Sequence, residues 1–207
     1  MFTTLLPDAR AFFTRLAANN SRDWFMAHKP EYEQTVAQPG KALADALAAR
    51  LTALTGHEMR PKIFRQNRDT RFSKDKTPYK AHLHMLWSES GDRDTPAFFL
   101  GIAPGTLVAG AGQFGFSKPQ LDRWRAAVAG PSGEELERLI APFRLREPEL
   151  KRVPAPYPAN HPRATLLRHK GFSAWVDLDP EDPRPVDEIA TEAFERLAPV
   201  WHWLVNP

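Results

Sequence analysis

The chain has no cysteine, which excludes disulfides, a thiol nucleophile and a thiolate metal site. No apolar run approaches the ~20 residues that cross a bilayer. The opening stretch, M-F-T-T-L-L-P-D-A-R, has neither the basic start nor the long apolar segment of an export signal, so a cytoplasmic protein is expected. An overall excess of one charge is lacking too. The 28 Lys and Arg face 25 Asp and Glu, and a net +3 is too small to argue nucleic-acid binding. No internal repeat, low-complexity tract or clean linker divides the 207 residues. What the chain does have is 20 prolines and 42% apolar residues. With a mean hydropathy of −0.48, this describes a globular chain with a real core, read as a single domain over residues 1–207.

The charge is unevenly placed. Arg60, Lys62, Arg65, Arg68, Arg71, Lys74, Lys76 and Lys80 fall in one short segment that only Asp69 and Asp75 oppose, giving it +6 and leaving −3 for the rest.

Apolar spacing sets the elements. Pro7 opens a helical pattern with Ala9, Phe12, Phe13, Leu16 and Ala17 on one face, ended by Asn19-Asn20. Ser21 is placed to cap a short helix over 22–28, with Trp24 and Phe25 as its core anchors. Pro39 starts a longer helix with Leu43, Leu47, Leu51 and Leu54 in phase, and Gly56 stops it. Residues 59–65 read as a strand with Ile63 and Phe64 as apolar members. Residues 66–79 hold Asn67, Asp69, Ser73, Asp75 and Thr77-Pro78, and predict a long loop pinned by Phe72 and Tyr79. Ala81, Leu83, Met85 and Trp87 alternate with Lys80, His82, His84 and Ser88 as in a half-buried strand. A polar turn over 89–95, strands over 97–102 and 106–109 and a Pro104-Gly105 turn follow, with connections too short for anything but antiparallel pairing. Pro119 begins a helix carrying Leu121, Trp124 and Val128, and Ser132-x-x-Glu135 spells a capping box for the next. Six prolines between 142 and 162 exclude a long helix there. A short helix over 163–169, a strand at Phe172–Leu178 and a helix over 186–197 complete the chain, with Trp201 and Trp203 expected in the core. The expected fold is α+β, with N-terminal helices, a central antiparallel sheet and C-terminal helices.

Within the basic segment, Arg65-x-x-Arg68-Asp69-x-Arg71-Phe72-x-x-Asp75-Lys76-x-x-Tyr79 resembles the signature of a widespread bacterial family, a domain of unknown function. Two further stretches carry the same resemblance. The first is Asn19-Asn20-x-Arg22-Asp23-Trp24-Phe25-x-x-x-Lys29-x-x-Tyr32; the second is Leu150-Lys151-Arg152-Val153-Pro154 with His161-Pro162 and Leu167-Arg168-His169-Lys170-x-Phe172. One departure is that Ala155 and Pro156 stand where similar proteins have a basic residue and a glycine. The resemblance implies no activity, so the chemistry must come from the residues.

Converging guanidinium forks suit phosphate or carboxylate, and their mutual repulsion is relieved by a bound anion. The candidate anion site is Arg65, Arg68, Arg71, Lys76, Tyr79, Lys80 and His82, with Arg68, Arg71, Tyr79 and His82 expected on one concave surface and Asp69 orienting a guanidinium. The plainer reading is an ion-pair network in which Arg65, Arg68 and Arg71 bridge to acids elsewhere, although exposed pairs contribute only about 0–1 kcal/mol each. Lys151, Arg152, Arg168 and Lys170 form two more basic clusters, either solvated or extending the site. His82 and His84 share a strand face and could begin a metal site with His161 or His169, but Lys80 beside them would repel a dication, so no metal is expected. Gly110-Ala111-Gly112-Gln113-Phe114-Gly115 matches a dinucleotide fingerprint only in letters. Phe116-Ser117-Lys118-Pro119 delays the helix that the fingerprint requires, so these glycines are read as serving a hairpin end or bulge, and no cofactor is expected. No Ser-His-Asp order, carboxylate pair or phosphate loop assigns a reaction. The expected partner is an anionic small molecule or nucleotide; the alternatives are nucleic acid along the same basic surface, or an acidic protein partner of a non-catalytic domain.

Overall fold

The computed structural model, which describes residues 2–90 and 95–207, is α+β, with helices at both ends of an antiparallel sheet. The polar turn expected over 89–95 lies mostly outside the described residues.

Helix α1 (Leu5–Ala18) begins just before Pro7, whose missing N–H costs nothing in a first turn. It buries Ala9, Phe12, Phe13 and Leu16, while Ala17 is exposed. Ser21 caps α2 (Arg22–Ala27) by accepting the Trp24 N–H at 3.3 Å. Next, α3 (Lys29–Tyr32), a π-helical turn (Glu33–Ala37) and α4 (Gln38–Thr55) form one helical run. The widened turn ends just before Pro39, which cannot donate the regular i→i−4 bond. Gly56, at φ +76°, closes α4 in the left-handed conformation that glycine tolerates best.

The sheet holds β1 (Arg60–Ile63), β2 (Leu83–Ser88), β3 (Ala97–Ala103), β4 (Thr106–Gln113), β5 (Arg144–Leu145) and β6 (Phe172–Leu178), in the order β1-β2-β3-β4-β6-β5. Its register pairs Leu83 with Ile102, Ile102 with Leu107 and Leu107 with Leu178 at one end; Ser88, Ala97, Gly112 and Ser173 mark the other. Leu83, Met85, Trp87, Phe98, Leu100, Leu107, Phe172 and Ala174 turn into one core shared with α1, α4 and α8 (Val186–Val205). Trp87 donates its indole N–H to Ala44 O at 2.8 Å, which satisfies the one polar atom of a fully buried side chain.

Several expectations need correction. The strand expected over 59–65 is shorter, Arg60–Ile63, because past Phe64, whose N–H donates to His84 O at 3.0 Å, the backbone takes residues 78–80 as its partner instead. The third meander strand runs to Gln113, well beyond 109. Its glycines make room for neighbours: a Cβ at Gly110 would lie 2.5 Å from the Trp175 ring, and one at Gly112 would lie 2.2 Å from Phe172 O. The expected capping box at Ser132 is absent, since Ser132 is already the first residue of α6 (Ser132–Ile140) and Pro131 precedes it. The capping box belongs to α5 (Lys118–Ala129), where Ser117 and Gln120 exchange bonds. The short helix over 163–169 is α7 (Ala164–Leu167). The last helix does not stop at 197. It passes through Pro199, because the bond lost there is outweighed by burial of Val200, Trp201, Trp203 and Leu204.

Candidate anion site on the basic arm

Between β1 and β2 the chain leaves the sheet as a narrow two-stranded arm. The Arg68 N–H donates to Pro78 O and the Lys80 N–H to Gln66 O, each at 2.8 Å, and Asn67 faces Tyr79 in an isolated antiparallel bridge. Gln66 is buried at the base of this arm. Its side-chain amide donates to Lys80 O and, at 3.2 Å, to His82 O, while its carbonyl accepts the Tyr32 hydroxyl at 3.3 Å. Burial pushes the Tyr32 phenol up to about 12 and keeps it a donor. The Asn20 side chain serves both backbone groups of Tyr79, donating to its carbonyl at 2.9 Å and accepting its N–H at 3.1 Å. The Tyr79 ring stacks on Phe25, centroids 4.0 Å apart. Asn20, Phe25 and Tyr32 thus clamp the base of the arm, and two of the signature stretches form one structural unit.

The expected pin at Phe72 fails. Phe72 is 95% exposed, because it sits at the tip, where no core surface reaches it. The tip instead folds on itself. Asp69 accepts the Arg71 backbone N–H at 3.2 Å and its guanidinium at 3.0 and 2.7 Å. Asp75 accepts the Thr77 N–H at 2.9 Å and is ion-paired with Arg68, which also reaches the Thr77 hydroxyl at 2.5 Å. Lys76 Nζ donates to Thr70 O at 2.9 Å. These bonds hold both carboxyls ionised. The Arg71 side chain and N–H lower Asp69, and the Thr77 N–H followed by the Arg68 guanidinium brings Asp75 down to about 2. Asp69 is therefore a poor general base.

Where the arm meets the sheet, Lys62, Phe64, Arg65, Asn67, Asp69 and Lys80 line most of an open hollow of 570 Å³. Lys80 Nζ donates to Arg65 O at 3.0 Å and lies 6.0 Å from the centre of the Phe64 ring. His82 follows, stacked on His84 with centroids 3.7 Å apart. Burial lowers the His82 pKa, and Lys80 and then Arg68 lower it further. His84 falls to about 3, mainly by burial. Both imidazoles are neutral at pH 7. The expected common surface is thus only partly assembled. Arg65 and Lys80 line the hollow, and the Arg68 charge acts on His82. Arg71 and Lys76 belong to the tip, and the Tyr79 ring is buried. Among the described residues, no acid outside the segment pairs with Arg65, Arg68 or Arg71, so the network bridging to distant acids is not formed.

The other basic clusters stand elsewhere. The Leu150 N–H donates to Arg168 O at 3.0 Å and the Lys170 N–H to the Glu149 carboxylate at 2.7 Å, which brings Lys151, Arg152, Arg168 and Lys170 together. They lie where the chain enters β6 at Phe172, whereas the arm enters β2 at Leu83, the opposite end of the sheet. His169 is fully buried beside Phe172 at that same far end, away from His82 and His84. No group of three or more His, Asp and Glu able to hold a metal occurs among the described residues.

Residues 8–203, almost the whole chain, match one family model. The chain belongs to the DUF2461 family, described as conserved hypothetical protein. No curated protein compared with it matches. In this DUF2461 member the motif-bearing Asn20 and the intervening Gln66 are the site residues that sequence reasoning overlooked. Asn20 stood inside a quoted motif, but nothing local signals that its amide would meet a backbone 59 residues away. No helix among the described residues is long and apolar enough to cross a membrane.

Proposed function

We propose that the basic arm binds a phosphorylated small molecule or nucleotide in the cytoplasm, with Arg65 and Lys80 taking the anion in the hollow beside His82 and with Arg68, Arg71 and Lys76 adding positive potential. The observation that carries this reading is the absence, among the described residues, of any outside acid on Arg65, Arg68 or Arg71. Asp69 and Asp75 are spent on organising the tip, through Arg71 and Arg68. A guanidinium that no outside acid meets, standing at an open hollow, is favourably placed to receive an anion. Against a continuous track that also uses Lys151, Arg152, Arg168 and Lys170 stands the sheet register, which sets them at the far end.

Pyrophosphate or tripolyphosphate should raise the melting temperature beyond chloride at matched ionic strength. The gain expected is about 2.7 kcal/mol at one hundred times the dissociation constant. Arg65→Ala should remove most of that increment without lowering the unliganded melting temperature, since Arg65 is exposed. Equal shifts in wild type and variant would defeat the reading.

A further inference from the structure

The sheet has a second face. Along β2, β3, β4 and β6 the residues that alternate with the core positions include His84, Phe99, Gly101, Val108, Gly110 and Trp175, and none belongs to the core cluster. Their rings form a row. His82 and His84 stack at 3.7 Å, while Phe99 stands edge-to-face with both its neighbours, 5.0 Å and 70° from His84 and 5.4 Å and 79° from Trp175. Glycines lie beneath the row. A Cβ on Gly101 would come within 3.0 Å of Phe99 Cε1, and one on Gly110 within 2.5 Å of Trp175 Cε3. The Trp175 indole therefore lies down on the strand, with its opposite face turned outward. All four rings are partly exposed.

The row starts beside the cationic hollow at Lys80 and crosses four strands. At about 4.8 Å per strand it extends roughly 14 Å, wider than one planar ring. On the arm, Phe72 stands exposed between Arg71 and Lys74, so the pattern of aromatics beside cations occurs twice. Aromatic platforms flanked by positive charge suit a chain that alternates planar bases with phosphates.

We propose that this face binds single-stranded nucleic acid, with bases stacked on Trp175 and on the His82–His84 pair and Phe99 set edge-on between them, while Arg65 and Lys80 take the phosphates. The proposal rests on the anion reading of the arm. A duplex hides its base faces and should not satisfy the row.

The test titrates the full chain, by fluorescence anisotropy at low salt, with a labelled oligodeoxythymidylate of about ten residues, an abasic chain of equal length, and a duplex. Stacking predicts that the base-bearing strand binds at least about fivefold more tightly than the abasic chain, with the duplex weaker than the single strand. Trp175→Ala should weaken the oligonucleotide toward the abasic level, the His82–His84 pair retaining part of the difference, and leave abasic binding unchanged; if that variant does not fold, Trp175→Leu serves the same comparison. Equal affinity for base-bearing and abasic chains, or a duplex that binds as well as the single strand, overturns the stacking proposal and leaves the arm intact. Polyphosphate stabilisation without any nucleic-acid binding also overturns this proposal alone. Failure of every polyanion, polyphosphate included, defeats the arm reading as well.

Discussion

His84 joins burial to a measurable pH dependence. Its imidazole, stacked on His82 and edge-on to Phe99, is pushed down to about 3 by desolvation, with His82 and Lys80 adding to the effect. The unfolded chain takes up this proton near 6.5, whereas the folded chain resists it. A depressed folded value gives stability that is complete above about 6.5 and drains away as pH falls towards 3. Thermal melts between about pH 8 and 4 should decline below 6.5, and His84→Gln should flatten that decline; parallel profiles would contradict the assignment. Asp69 makes the opposite case. Among the described residues its hydrogen-bond partners all belong to Arg71, two residues away on an exposed tip, so Asp69→Asn should leave the urea midpoint close to that of the wild type. A guanidinium beside Asp69 was legible from spacing. The Arg68–Asp75 pair was not, because it depends on how the tip turns back.

The arm is an element held at one end. Tyr79 is buried on Phe25, its backbone is tied to Asn20, and Gln66 bridges Tyr32 to the strand that follows. Tyr79→Ala should cost about 3–5 kcal/mol, in the range of buried aromatic truncations. Phe72→Ser, at the solvent-exposed tip, should be close to neutral. Urea denaturation of the two variants gives the comparison, and similar losses would mean that the tip packs in solution. In sequence the two aromatics look alike, each an apolar residue inside a polar loop. Only the docking of α2 beneath one of them makes it a pin.

Across the whole molecule, the core is closed by both chain ends. Helix α1 lies against β3, and α8 covers β4. Trp201 is fully buried, donates to Pro96 O at 3.1 Å and stacks with Phe98, while Trp203 donates to Ser132 O at 3.0 Å. A chain ended after Leu197 loses both indoles and Leu204, and should lose its near-ultraviolet circular dichroism and its cooperative melt; a retained sharp transition would show that the C-terminal segment is dispensable. Trp201→Ala alone should cost about 3–5 kcal/mol by the same measurement.

Periodicity and capping act within a few residues, so the sequence alone determined most of the buried faces of α1 and α4, the Ser21 and Gly56 boundaries, the antiparallel meander and the α+β class, whereas the alternation expected in β2 fails because Leu86 and Ser88 are buried as well. Register and docking act between residues far apart, and these the tertiary structure decided. It set the arm and the Arg168–Lys170 cluster at opposite ends of one sheet, laid Trp175 over Gly110, and carried α8 through Pro199 because buried tryptophans outweigh one missing hydrogen bond. A charge run in the sequence reports how much positive charge is gathered. Which acids reach it, and which rings lie beside it, depend on strand order, and no local pattern encodes that order.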